Sequence, residues 1–165
     1  MKTGIPTVVS VFLLLLWQSA AWCAQEADEV LVVKSEKRLY LMSDGNVLQS
    51  FRVTFGSDPR GHKQQQGDGR TPEGRYTLDD KNSNSRFYKS IHISYPDAHD
   101  AEQARKRNVN PGGDIMIHGQ PNKWGWASPV VQLFNWTDGC IALSDEDMDR
   151  VWDAVAAGTP IEIRP

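Results

Sequence analysis

Cys140 is the residue of this chain with the most chemical potential. It sits in Trp136-Thr137-Asp138-Gly139-Cys140-Ile141-Ala142-Leu143, and the glycine before it lets the backbone turn sharply without a Cβ clash. Such a turn presents the sulfur outward. It also aims the amide N–H groups of Gly139 and Cys140 at one point, which is what an oxyanion hole requires. A thiol becomes a strong nucleophile only as thiolate, so it needs a basic or cationic neighbour. His118 is the best placed: it ends an expected strand, and Gly119 leaves space beside its ring. Positions 118 and 140 are 22 apart, close enough for adjacent strands to bring them together. The plainer readings are a small buried hydrophobe for Cys140 and a backbone-bonded structural histidine for His118.

Other candidates surround this pair. His62 lies in a loop rich in Gly and Gln and is expected to touch substrate. His92 alternates with the apolar positions of a strand and should face solvent, and His99 falls in a polar helix. Trp124, Trp126 and Trp136 cluster around the loop before Cys140. Aromatics bury large areas, so packing under the loop competes with a role as a wall of the substrate cleft. Gly125 between two tryptophans suggests a mobile lid. The acidic run Asp145, Glu146, Asp147 and Asp149 reads as a helix N-terminus, where carboxylates favour the dipole. No histidine is spaced with it as a further ligand, so no metal is expected. The only basic cluster, Arg105-Lys106-Arg107, reads as the solvated end of a helix, with contact to acidic substrate groups as the alternative.

The elements that must position these groups are short. Val30 to Lys34 and Arg38 to Met42 read as strands. Ser43-Asp44-Gly45-Asn46 is a hairpin turn, and Val47 to Phe55 follows with partial two-residue alternation. Gly56 to Pro72 is a long loop, and long loops in compact domains are often functional. Arg75 to Leu78, Phe87 to Tyr95, Asp114 to His118 and Cys140 to Leu143 read as further strands. In Asp114 to His118, Ile115 and Ile117 share one face, Met116 and His118 the other. Asp97 to Arg107 is a short exposed helix. Ser144 caps a second helix, with Asp147 completing a box-like signature. Its apolar stripe is Met148, Val151, Trp152 and Val155. Gly158 and Pro160 stop that helix before a last strand, Ile161 to Arg164. Many short strands with one clear helix imply a mostly β domain, a sandwich or open barrel.

The chain has 165 residues and a formal net charge of -3, which suits one domain with one core. It gives no electrostatic reason to expect a nucleic-acid partner. Lys2, the apolar stretch Val8 to Trp17, and the small residues Ser19, Ala20 and Ala21 have the layout of a secretory signal peptide over residues 1–23. Cleavage after Ala21 or after Cys23 fits, and an uncleaved anchor is the alternative. The stretch is shorter than the roughly 20 residues that span a bilayer, so no stable membrane span is expected after the leader is removed. Trp22 before Cys23 argues against a lipid-modified cysteine. Of two cysteines, one lies in or beside the leader, which excludes a disulfide framework. Oxidising compartments tend to remove or pair idle thiols, so a solitary thiol in the body of an exported protein points to use.

The order Ile117-His118-Gly119, then Thr137-Asp138-Gly139-Cys140, resembles the YkuD-type L,D-transpeptidase catalytic domain. Gly69-Arg70-Thr71-Pro72-Glu73-Gly74 is similar to that family's Thr-Pro-x-Gly loop. The resemblance covers about residues 29–165 and is nearest to short single-domain members. It extends more distantly to a branch that cleaves the lipoprotein–peptidoglycan link. It implies a YkuD-like β-sandwich or open barrel in a periplasmic or exported protein of the bacterial cell envelope, with no cofactor. It further implies acyl transfer on peptidoglycan stem peptides through a thioester, with Cys140 as nucleophile and His118 as general base and acid. Gly139 and Cys140 would supply the oxyanion hole, with Gly119, Thr137, Asp138, Trp124, Trp126 and His62 near the substrate. The acceptor would be an amine of another stem or of a wall-linked lipoprotein, or water. Two positions depart from the family: Asp138 stands for a second His, and Ala142 for an Arg or Asn often assigned to substrate placement. A peptidoglycan amidase or L,D-endo- or carboxypeptidase on the same residues, and an inactive wall-binding module, are the competing readings.

Overall fold

A computed structural model describes residues 26–123 and 128–165. The leader expected over 1–23 and the two tryptophans Trp124 and Trp126 lie outside the described residues. Eight strands form one sheet: β1 (Glu29–Val33), β2 (Arg38–Ser43), β3 (Asn46–Arg52), β4 (Gly74–Ser85), β5 (Tyr88–Ile93), β6 (Met116–His118), β7 (Ile141–Ala142) and β8 (Thr159–Arg164). The helices are α1 (Ala98–Lys106), α2 (Ser128–Val131) and α3 (Asp145–Ala154). The mostly β architecture expected from the sequence is the one observed.

Alternation makes the inner face. Val30 and Val32 on β1, Leu39 and Leu41 on β2, Ile91 and Ile93 on β5, and Ile161 and Ile163 on β8 are all buried. Full burial of each such side chain contributes about 1.5–3 kcal/mol. Asp44 (φ 51°) and Gly45 (φ 74°) both adopt positive φ, the turn whose twist matches two antiparallel strands.

The strand order is β3-β2-β1-β8-β4-β5-β6-β7. β8 therefore lies mid-sheet, parallel to β1 and antiparallel to β4. Beyond β3, Thr54 bridges Ala142, and Gly56 bridges Thr137. These bridges tie the chain leaving one edge of the sheet to the segment at the other edge, so the sheet curls into an open barrel. Cys140 lies between the two bridged positions.

Two elements differ from expectation. β4 runs on to Ser85 although Asp79 to Asn84 are polar. This half pairs with β5 alone, and its outer face carries the polar residues. Lys81 uses the extension to donate to the carbonyls of Trp152 and Val155, at 2.6 and 2.8 Å, where α3 leaves carbonyls unpaired. The expected exposed helix is α1, but it buries Asp100 and Ala104. Asp97 caps it with a reciprocal Asp100 bond, and Asp100 also accepts from the Tyr76 hydroxyl at 2.9 Å. α3 starts as expected, with the Ser144 Oγ accepting from the Asp147 N–H at 3.1 Å. It buries Met148, Val151 and Ala154.

Candidate active site

β6 and β7 are parallel neighbours, with Ile117 opposite Ile141 and His118 opposite Ala142. One step before β7, Cys140 thus falls beside Met116, on the same face as His118 because side chains alternate along β6. Ile115 and Ile117 point into the core. Cys140 and His118 line one cavity of about 390 Å³ together with Asn84, Arg86 and Phe87. A second cavity, of about 310 Å³, shares Arg86, Phe87, Asp114, His118 and Cys140 with the first and adds Trp136 and Asp138. The thiol lies where the two meet, so they form one continuous cleft.

His118 is 3% exposed. Its Nδ1 lies 2.7 Å from the Gly119 carbonyl, which fixes the proton on Nδ1 and leaves Nε2 as a bare acceptor. The Phe87 ring lies against it with centroids 4.6 Å apart, and Trp136 approaches edge-on at 5.8 Å. Burial drives the imidazole pKa down to about 4, with the Gly119 bond opposing.

The Cys140 thiol is pushed the other way. Burial raises its pKa, and the carboxylates of Asp138 and Asp114 add to the rise. The Met116 N–H and the Lys63 ammonium oppose it. Both groups are therefore neutral at rest near pH 7, and the ion pair is not preformed. The thiol is turned to the Asp114 carbonyl, with Sγ 3.5 Å away. Catalytic hydrogen bonds are often formed only once substrate is in place.

The turn carrying the thiol needs its glycine. Gly139 has φ +130°, and a Cβ there would stand 2.5 Å from the Arg70 carbonyl oxygen. The Thr-Pro loop thus packs directly beneath the turn that carries Cys140. The Thr137 Oγ1 accepts from the Gly139 N–H at 3.2 Å and donates to the Cys140 carbonyl at 2.7 Å. The Gly139 N–H is therefore already engaged, while among the described residues the Cys140 N–H meets no acceptor.

The remaining expected site residues divide. Trp136 and Asp138 line the cleft. Thr137 is buried and locks the turn. Gly119 does not open space for substrate: a Cβ there would stand 2.6 Å from Asp145 Oδ1 and 2.9 Å from Tyr88 Cβ. Its contribution is its carbonyl. His62, expected to touch substrate, is held elsewhere. Its Nδ1 accepts from the Glu73 N–H at 3.0 Å, and its Nε2 lies 3.0 Å from Asp100 Oδ1. It braces the long loop against α1. His92 is half-buried, 2.6 Å from Asp79, and His99 is exposed. Ala142 is fully buried, with its N–H and carbonyl both bonded to Thr54, so this position presents no side chain to the cleft.

Sequence reasoning missed Arg86, Phe87 and Asp114. The first two form the tip between the paired residues Ser85 and Tyr88, and no local signal placed that tip over His118. Asp114 has φ 54°, and the Pro-Gly-Gly run before it was the available hint of a turn. Among the described residues, no group of three or more His, Cys, Asp or Glu side chains is arranged to hold a metal ion. None of their helices is long and apolar enough to cross a membrane.

Comparison with known proteins agrees with this fold. A family model described as YkuD, L,D-transpeptidase catalytic domain, matches residues 27–163. The Escherichia coli K12 protein named "Putative L,D-transpeptidase YafK" is 30% identical over 111 residues, which is 66% of this chain and 37% of that protein. The chain thus spans well under half the length of the curated relatives it matches. The helical cell shape determining protein Pgp2 from Campylobacter jejuni superposes with a TM-score of 0.61 at 26% identity, over 82% of this chain and 46% of that one. An L,D-transpeptidase from Xylanimonas cellulosilytica superposes with a TM-score of 0.54 at 14% identity, over 84% of this chain and 61% of that one, and shares the fold.

Proposed function

We propose what this chain does from a fixed premise: it belongs to the YkuD family of L,D-transpeptidase catalytic domains. Its substrate is a peptidoglycan stem peptide, and its reaction is acyl transfer through a thioester on Cys140. The observation that carries this reading is the shared cleft, in which the thiol and a tautomer-fixed imidazole face one cavity.

His118 Nε2 takes the proton of the Cys140 thiol as the sulfur attacks the carbonyl of the L-centre of the stem's diamino acid. The resulting oxyanion is held by the Cys140 N–H, a contribution of about 3 kcal/mol. The Gly139 N–H joins only by exchanging its bond to Thr137. The imidazolium then gives its proton to the departing amine of the D-residue, the C–N bond breaks, and the acyl group remains on sulfur. An acceptor amine attacks the thioester and loses its proton to His118. The thiolate leaves and recovers that proton. Because the neutral pair is the resting state, the proton moves with the attack rather than before it.

Water entering the open cleft gives the second reading, net L,D-hydrolysis on the same residues. Ala142, which stands where the family pattern has an Arg or Asn for substrate placement and presents no side chain to the cleft, supports this second reading. Incubating the protein with a tetrapeptide muropeptide separates the two: cross-linked dimers mean transfer, and shortened monomers mean hydrolysis. Intact substrate would reject both. The acceptor amine of a wall-linked lipoprotein would appear as a conjugate in the same assay. The apolar leader over 1–23 supports export to the envelope, which a fusion of that segment to a reporter tests by measuring secretion.

A further inference from the structure

We propose that Arg86 is the specificity-determining residue of the cleft and reads a free carboxylate on the D-residue that leaves. This rests on the reading of the site given above. Arg86 lines both cavities that meet at Cys140. Among the described residues no carboxylate lies within ion-pair distance of its guanidinium, so that side chain is available to a ligand. A guanidinium matches a carboxylate with two parallel hydrogen bonds.

The backbone that carries Arg86 is fixed. Its carbonyl accepts from the Asn122 N–H at 3.0 Å. The Asn122 side chain accepts from the Tyr88 N–H at 3.0 Å and donates to the Ser85 carbonyl at 3.1 Å. Asn122 therefore clamps both ends of the tip. Phe87, the next residue, rests on the His118 ring, so the tip is registered to the base. A carboxylate held by Arg86 is thereby placed relative to the proton donor for the leaving amine.

Asp114 and Asp138 also line an adjoining polar hollow. Both raise the thiol pKa through space, so their field reaches the reacting atoms. Lys63, paired with Asp68 at 2.8 Å, lines the same hollow, which therefore carries both signs of charge. Arg86 and Asp114 both line the two cavities that Cys140 lines, so the cleft offers a guanidinium and a carboxylate beside the thiol. Ala142 carries only a methyl group and supplies no cation. The guanidinium comes instead from the tip between β4 and β5.

The test compares a tetrapeptide stem ending in a free carboxylate with the same stem ending in an amide. For the unaltered protein, kcat/KM should drop about 10- to 100-fold on amidation, the value of a hydrogen bond between charged groups. Arg86→Gln should lose a similar factor on the free acid, mostly through KM, and change little on the amide. Arg86→Lys should recover part of the loss. Equal losses on both stems would show a merely structural role and overturn the proposal, as would an unaltered protein indifferent to amidation. Binding of both stems to Cys140→Ala, with and without Arg86→Gln, is measured by calorimetry. If neither stem is turned over, the thioester reading fails, yet this binding still decides the role of Arg86. Discrimination that vanishes with Arg86→Gln supports it, and its absence in Cys140→Ala overturns it.

Discussion

The Nδ1–H of His118 is donated to the carbonyl of Gly119, its own neighbour in the chain, across 2.7 Å. A backbone carbonyl here does what a carboxylate does in Cys/His and Ser/His sites: it orients the ring and fixes which nitrogen is free to accept a proton. It brings no negative charge, so it does little to stabilise an imidazolium.

Burial of the ring, which the Gly119 bond only partly opposes, sets the pH profile. The imidazole of the free enzyme takes its proton only near pH 4, so kcat/KM should stay flat from neutrality to about pH 5 and be halved near pH 4. An unperturbed histidine would halve it near 6.5. The thiol is shifted upward, so any alkaline change lies above the ordinary cysteine range. His118→Gln should cost roughly 100- to 10,000-fold in kcat, the range of general base catalysis. Initial rates across pH 3.5–9 check both statements.

The same shift makes a stability prediction. Unfolded, His118 binds a proton below about 6.5; folded, only below about 4. Between those values the unfolded chain binds more protons, so stability falls as the pH drops through this window. The loss amounts to about 3 kcal/mol and levels off below pH 4. Urea midpoints for the protein and for His118→Asn should diverge at pH 7 and converge toward pH 4. Asp68 acts in a lower window. Burial would raise its carboxyl, but Lys63 and the N–H groups of Gln64, Gln65 and Arg70 outweigh that and hold it at about 2. Its stabilisation is present above about 3.8 and is lost as pH falls toward 2.

Thr137 tests the turn. Thr137→Val leaves the Gly139 N–H and the Cys140 carbonyl without the hydroxyl that serves both. Destabilisation of about 1–3 kcal/mol is expected, with a fall in kcat as the thiol loses its position. Thr137→Ser keeps the hydroxyl and should recover most of both. Thermal melts and steady-state rates on the pair give the answer.

Gly139→Ala should be worse. The added Cβ meets the Arg70 carbonyl at 2.5 Å, in a conformation with φ +130°. Strain and overpacking together cost about 2 kcal/mol or more. The measurement is the urea midpoint, and an unchanged midpoint would remove the claim that the Thr-Pro loop packs rigidly beneath the turn that carries Cys140.

The sequence made some of this architecture legible and hid the rest, for physical reasons. Alternation of Val, Leu and Ile is local, so β1, β2, β5 and β8 could be read from it, as could the faces of β6 that set His118 apart from Ile117. The Gly before Cys140 was legible as a turn because the conformation it adopts disfavours other residues. The second half of β4 was not, since Asp79 to Asn84 carry no apolar period and are held by pairing with β5 and by Lys81 reaching α3. His62 misled because its partner Asp100 comes from a distant helix. Which group orients His118 stayed open in the sequence, because a particular carbonyl leaves no mark on it. Arg86 was missed because its position depends on a hairpin tip folding over another strand.

The proposed mechanism requires that Cys140 carry the acyl group. Intact-mass and peptide mass spectrometry after exposure to a carbapenem, a thiol-reactive mimic of the D-residue end, reads it directly. A single covalent adduct on Cys140 is predicted, absent in Cys140→Ala and formed far more slowly in His118→Ala. An unmodified Cys140, or stem-peptide turnover that survives in Cys140→Ala, would contradict it.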